Sequence, residues 1–148
     1  MRAYTPFAQP IDKTLWRFAG LPGNRGLDLT NVLQSGLPIE VFDSIHKWSD
    51  MSKADIMRIA GIKERNVARR KNAGCVLSAE ESERVARLIR VFDAAVQLFG
   101  GNKNEAWIWL KNPVRGLGAV TPMSLIATES GALEVLDLIG RLEHGVFS

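Results

Sequence analysis

Nine consecutive residues, Lys63-Glu64-Arg65-Asn66-Val67-Ala68-Arg69-Arg70-Lys71, gather five cations beside one amide and a single branched apolar residue. Arginine pairs bidentately with guanine and asparagine with adenine, while lysines at helix ends suit phosphates. At about 100° per residue, Lys63, Arg65, Asn66, Arg69 and Arg70 fall on one broad arc and Val67 points the other way, toward a core. This is the pattern of a helix laid in a DNA groove, with Lys63, Arg65, Asn66, Arg69, Arg70 and Lys71 as the expected DNA-binding residues. A solvated charged helix has the same composition. Binding sensitive to salt separates the two, because each phosphate neutralised releases counterions.

The remaining reactive side chains do not assemble a catalytic set. His46 and His144 lie in different segments, with no Cys, His or Asp at metal-ligand spacing. His46 reads as a surface or capping group. Cys75 has Arg69 to Lys71 nearby in sequence but no adjacent histidine to activate it, and reads as structural. Gly23-Asn24-Arg25-Gly26 and Gly116-Leu117-Gly118 read as turns, since neither links a strand to a helix as phosphate cradles do. Trp107 and Trp109 share a helix, so one is expected in the core and one exposed. The expectation is a protein that is not an enzyme and takes neither a cofactor nor a metal.

The chain of 148 residues is 46% hydrophobic and 24% charged, a globular composition with room for one ordinary core or two small ones. Its net charge of +3 is unevenly spread. Through Gly74 there are 12 Lys and Arg against 7 Asp and Glu; from Cys75 onward there are 7 against 9. The basic half suits a polyanion and the mildly acidic half does not. Apolar runs are short, Pro6, Pro10 and Asp12 stand where a leader needs apolar residues, and a lone Cys75 forms no internal disulfide. These features predict a cytoplasmic protein with no membrane partner.

An all-α chain must position the basic helix. Residues 1–34 mix Pro6, Pro10, Pro22, Gly20, Gly23 and Gly26, and are expected to form an irregular or partly disordered arm. Leu15, Trp16 and Phe18 within it would pack on the body or on a second copy. Residues 35–77 are expected to form a helix-turn-helix DNA-binding domain. Leu37, Val41, Ile45 and Trp48 recur at helical spacing behind Pro38, which stands at a first-turn position. Ser52 caps the next helix, Gly61 turns the chain, and Ile62 drops inward ahead of the basic helix. Met57 stands where such motifs place a small residue. Residues 78–148 are expected to form a second small helical domain. Ser78 and Glu81 open its longest helix, whose stripe is Val85, Leu88, Ile89, Phe92, Val96 and Phe99, ending at Gly100-Gly101. A shorter helix carries Ala106 to Leu110, and a brief turn holds Met123, Leu125 and Ile126. A last helix, capped by Thr128, bears Leu133, Leu136, Ile139 and Leu142, with Gly145 past its end.

Leu77-Ser78-Ala79-Glu80-Glu81-Ser82-Glu83-Arg84, then Ala106-Trp107-Ile108-Trp109-Leu110, Leu117-Gly118 with Thr121-Pro122, Thr128-Glu129-Ser130-Gly131 and Gly140 to Val146 stand in order along the chain. Together they resemble the Xre/MbcA/ParS antitoxins over about residues 36–148. Ala119 replaces a usual glycine, Ser124 a common aspartate, and Asn66 a frequent threonine. The resemblance implies one half of a toxin-antitoxin pair, with a RES-domain toxin that consumes NAD as partner. It further implies a homodimer, a carboxyl-terminal domain that covers the toxin, and operator DNA as a second partner in autorepression. The terminal residues suit that role. Val146 and Phe147 could anchor in a pocket while Arg141, Glu143 and His144 orient them and Gly145 hinges, so these six are the expected toxin-binding residues. The alternative is that Val146 and Phe147 fold back on their own domain. Gly131, Gly140, Thr121 and Pro122 look architectural. The alternative function is a stand-alone helix-turn-helix repressor whose carboxyl-terminal half dimerises or senses a small molecule.

Overall fold

A computed structural model describes residues 15–23 and 25–145. In chain order its helices are α1 (Leu15–Phe18), α2 (Leu27–Ser35), α3 (Val41–Ser49), α4 (Lys53–Ala60), α5 (Glu64–Asn72), α6 (Ala79–Leu98), α7 (Lys103–Lys111), α8 (Pro122–Leu125) and α9 (Glu129–Glu143). Side chains acting over three residues set several starts, by satisfying backbone donors that have no intrahelical partner. Ser52 accepts from the Asp55 N–H at 3.1 Å, Asn102 from Glu105 at 3.0 Å and Thr128 from Gly131 at 3.0 Å. Ser78 and Glu81 form the reciprocal box that opens α6, at 3.0 and 2.8 Å. Among the described residues the only extended pairings are two isolated bridges, Pro38 with Val76 and Val114 with Val120. The chain is all-α, a helix-turn-helix followed by a carboxyl-terminal domain, and it divides into two units between Ala86 and Arg87, within α6.

In the first unit α1 packs on α3, and α3 on α4. Phe42, Ile45 and Ile56 fill its centre. Gly61 takes φ 76° after α4, which lets the chain turn and puts Ile62 into the core. Val67 is buried on the inner side of α5. A seam ties the segment before α3 to the segment before α6: the Leu77 N–H donates to Leu37 O, and the Leu37 N–H to Ser82 Oγ, both at 2.9 Å. Gly36 makes the approach possible, since its φ is +94° and a Cβ there would lie 2.2 Å from Leu77 O.

Three expectations change here. The stretch read as an irregular arm contains α1 and α2, with Leu15, Trp16, Leu29 and Leu33 buried and Phe18 exposed. Both helices are too short to sustain a period across a window broken by Gly20 and Gly26, each with positive φ. The boundary drawn at 34/35 therefore cuts the end of α2, and the one drawn at 77/78 precedes the division within α6. Finally, Pro38 lies outside α3 and pairs with Val76, because Leu37 and Pro38 serve the seam.

In the second unit Leu88, Ile89 and Phe92 of α6 are fully buried, as are Ala106 and Leu110 of α7. Phe92 meets Trp107 edge-on at 6.3 Å, and Phe99 meets Trp109 at 6.3 Å. Both tryptophans are half-buried, so the expected split between core and surface does not occur. Each covers one flank of α7 while Ala106 and Leu110 take the centre. Helix α8 packs on α7 and α9, and α9 packs on a 3₁₀ turn at Arg115–Leu117. Helix α9 buries Gly131, Ala132, Val135, Leu138 and Ile139, a phase turned away from Leu133 and Leu136. Gly131 fixes that phase, because α9 lies so close to α8 that a Cβ there would be 2.0 Å from Leu125 O.

Candidate nucleic-acid and protein interfaces

Around α5 the six expected DNA-binding residues divide by how far each lies from Val67. About 100° per residue puts Arg65 and Arg69 opposite Val67, and Arg70 and Lys71 on either side of it. Lys63, Arg65 and Arg69 are exposed and make no ion pair among the described residues; Asn66 is half-buried beside them. Arg70 turns inward. Its Nη1 donates to Glu81 Oε2 at 2.9 Å, and its Nη2 to Glu81 Oε1 at 2.7 Å and to Val76 O at 3.1 Å. Fork geometry of this kind combines strength with orientation. The Arg70 hydrogen bonds hold the Glu81 carboxyl at about 2, with the Ser78 N–H assisting and burial opposing. The same bonds raise Arg70. Arg70 thus fastens α5 to the start of α6 and has its donors engaged there.

Lys71 is exposed but lies 3.5 Å from Asp43, which Lys53 also approaches at 2.6 Å. Lys53 lowers the Asp43 carboxyl first, against partial burial, and Lys71 adds to the lowering. Arg58 pairs with Asp55 on α4. The 3₁₀ turn and helices of the second unit carry a different surface. Phe99, Ile108, Trp109, Pro113 and Val114 line an apolar groove of about 400 Å³, with Glu105 and Asn112 beside them. Asn112 Nδ2 already donates to Ile108 O at 2.7 Å, leaving the groove few polar handles.

At the end of α9, Arg141, Glu143, His144 and Gly145 are exposed. Gly145 has φ 71°. His144 Nδ1 donates to Gly140 O at 2.7 Å, so the ring caps the last turn and presents Nε2 outward. Val146 and Phe147 lie outside the described residues. His46 Nδ1 donates to Met51 O at 2.6 Å, tying α3 to the link that leads into α4. Cys75 is exposed, so its side chain packs in no core. Among the described residues no group of three or more His, Cys, Asp or Glu could hold a metal ion, and no helix is long and apolar enough to cross a membrane.

Residues 28–90 match the antitoxin Xre-like helix-turn-helix domain, and residues 94–145 match the antitoxin Xre/MbcA/ParS C-terminal toxin-binding domain. Over all 148 residues, and the whole of each relative, the chain is 51% identical to antitoxin Xre of Yersinia enterocolitica and 49% identical to antitoxin Xre of Photorhabdus laumondii. The chain belongs to the Xre antitoxin family. This antitoxin therefore joins a helix-turn-helix to a toxin-binding domain, and the matched helix-turn-helix begins inside α2, consistent with the packing of α2 in the first unit. Two features of the antitoxin escape sequence reasoning. The Arg70–Glu81 fork joins residues eleven apart, and only the Ser78–Glu81 half of it has a local signature. Asp43 takes Lys53 and Lys71 from two other helices, and no spacing announces that.

Proposed function

We propose that this antitoxin neutralises a RES-domain, NAD-consuming toxin by direct contact, and that a homodimer in complex with the toxin binds operator DNA and represses its own operon. The observation that carries the proposal is the end of α9. Exposed Arg141, Glu143, His144 and Gly145 close a stretch matched to a toxin-binding domain, and Val146 and Phe147 follow directly. Apolar anchors on a glycine hinge bury area in a pocket while flanking charges fix the approach. The RES identity of the partner is supported by the resemblance of the ordered motif set to Xre/MbcA/ParS antitoxins. On the DNA side, Lys63, Arg65, Asn66 and Arg69 form the reading face, with Arg70 holding it in place and Lys71 at its margin. The antitoxin acts in the cytoplasm by stoichiometric occupancy, not by turnover.

The test is co-production with the RES-domain protein of the adjacent gene, followed by co-purification and an NAD-depletion assay. Removing residues 144–148 is expected to abolish or weaken neutralisation while operator binding survives. Full neutralisation by the truncated chain would move the contact elsewhere in the domain. A silent deletion of the gene, with no toxin adjacent, would favour the stand-alone repressor.

A further inference from the structure

We infer that the outward face of α9, formed by Leu133, Leu136 and Gly140, is a second contact for the toxin, beside the tail; this rests on the toxin-binding role proposed above. Helix α9 has its core side at Val135, Leu138 and Ile139. At about 100° per residue, Leu133, Leu136, Gly140 and His144 form one stripe on the opposite side, running to the helix end. Leu133 is 50% exposed, and Leu136 and Gly140 beside it are half-buried. Gly140 is the informative residue. Glycine is the poorest helix former after proline, and in a helix interior it calls for a reason. Its φ is not positive, and among the described residues a Cβ built on it meets nothing within 4 Å. In the same helix Gly131 is required by the fold, since its Cβ would strike Leu125 O. The antitoxin's own packing therefore explains Gly131 and leaves Gly140 unexplained, contrary to the architectural role expected for it. A partner backbone approaching α9 closely supplies the reason.

The toxin, not a second antitoxin, is the occupant for two reasons. The whole of α9 lies in the stretch matched to a toxin-binding domain. Exposed Asp137 and Glu143 border the stripe together with exposed Arg141, a net acidic border, and Glu129 at its head pairs with Arg87 at 3.3 Å. A two-fold contact of this face with itself would set that acidic border against its own copy. The complementary surface is apolar with basic residues around it.

The test compares the complete antitoxin, Gly140→Ala, Leu133→Glu and the chain lacking residues 144–148, each with the co-produced RES-domain protein of the adjacent gene. Gly140→Ala is expected to raise the antitoxin's own Tm by about 2–4 °C, through helix propensity, and to weaken toxin binding about tenfold, through an overfilled contact. Leu133→Glu is expected to weaken toxin binding about tenfold with the Tm unchanged. A fall in Tm for Gly140→Ala overturns the inference, because the glycine then serves the antitoxin's own fold. Unchanged toxin affinity in both point variants also overturns it, and if the truncation alone loses binding, the tail contact stands without the face. If the point variants lose binding and the truncation does not, the face stands and the tail contact fails. A change in the oligomeric state of the toxin-free antitoxin with Leu133→Glu, at unchanged toxin affinity, assigns the face to a second copy.

Discussion

The outer face of α5 and the apolar groove of the second unit present opposite kinds of surface. Around α5, Glu81 and Asp43 neutralise Arg70 and Lys71, while Lys63, Arg65 and Arg69 stay exposed without ion pairs among the described residues. The groove is lined by Phe99, Ile108, Trp109, Pro113 and Val114, and Ile108 is 51% exposed, whereas the exposed apolar residues of the first unit, Phe18, Leu27 and Val76, all lie outside α5. The two surfaces suit different partners. Unpaired cations suit phosphates and exposed apolar residues suit a protein surface.

The largest separation between the units is expected in salt dependence. If each protomer of a dimer neutralises three phosphates, raising salt from about 50 to about 200 mM should lower operator affinity by roughly three orders of magnitude. Toxin affinity, carried by apolar contact, should move by less than about threefold over that range. Equal salt dependence in filter-binding and calorimetric titrations would erase the contrast. Next in size is Arg70→Ala. It strands the Glu81 carboxylate and should cost about 2 kcal/mol in urea unfolding at pH 7, with the salt slope of operator binding unchanged. Because the folded Glu81 carboxyl sits at about 2, below its ordinary 4.5, its contribution is complete above the ordinary value and is lost as pH falls toward 2. The destabilisation by Arg70→Ala should therefore shrink in acid. Arg65→Ala should do the reverse, leaving stability within about 0.5 kcal/mol and lowering the salt slope by roughly 0.9 per site. A lowered slope for Arg70→Ala would return that arginine to the DNA face. The smallest effect is expected for Lys71→Ala, since its exposed pairing with Asp43 is worth about 0–0.5 kcal/mol. Its operator titration reveals whether Lys71 also reaches a phosphate.

Legibility followed the range of each interaction. Caps at Ser52, Ser78 and Thr128 act over three residues, and the helices they open were readable in place. Val67 was readable because a period of 3.6 separates inside from outside on α5, and Ile62 because it follows the turn at Gly61. Helices α1 and α2 were not, because burial of Leu15, Trp16, Leu29 and Leu33 stabilises segments too short to show a period. Of the four apolar residues read on α9, Ile139 is buried, Leu136 and Leu142 are half-buried and Leu133 is exposed; the close approach at Gly131 outranks side-chain size in choosing the buried face. Arg70 falls on the basic arc by helical angle, which does not distinguish a guanidinium facing solvent from one facing Glu81 eleven residues on.

The seam at Gly36, Leu37 and Leu77 has a further consequence. Since Leu37 O receives the Leu77 N–H at 2.9 Å and Pro38 pairs with Val76, the chain leaves for α3 and returns from α5 at one point. Residues 38–76 are a closed excursion, a cassette whose two ends meet whatever its middle contains. Recombination between relatives at these ends would transplant the exposed face of α5 without altering where the chain re-enters α6.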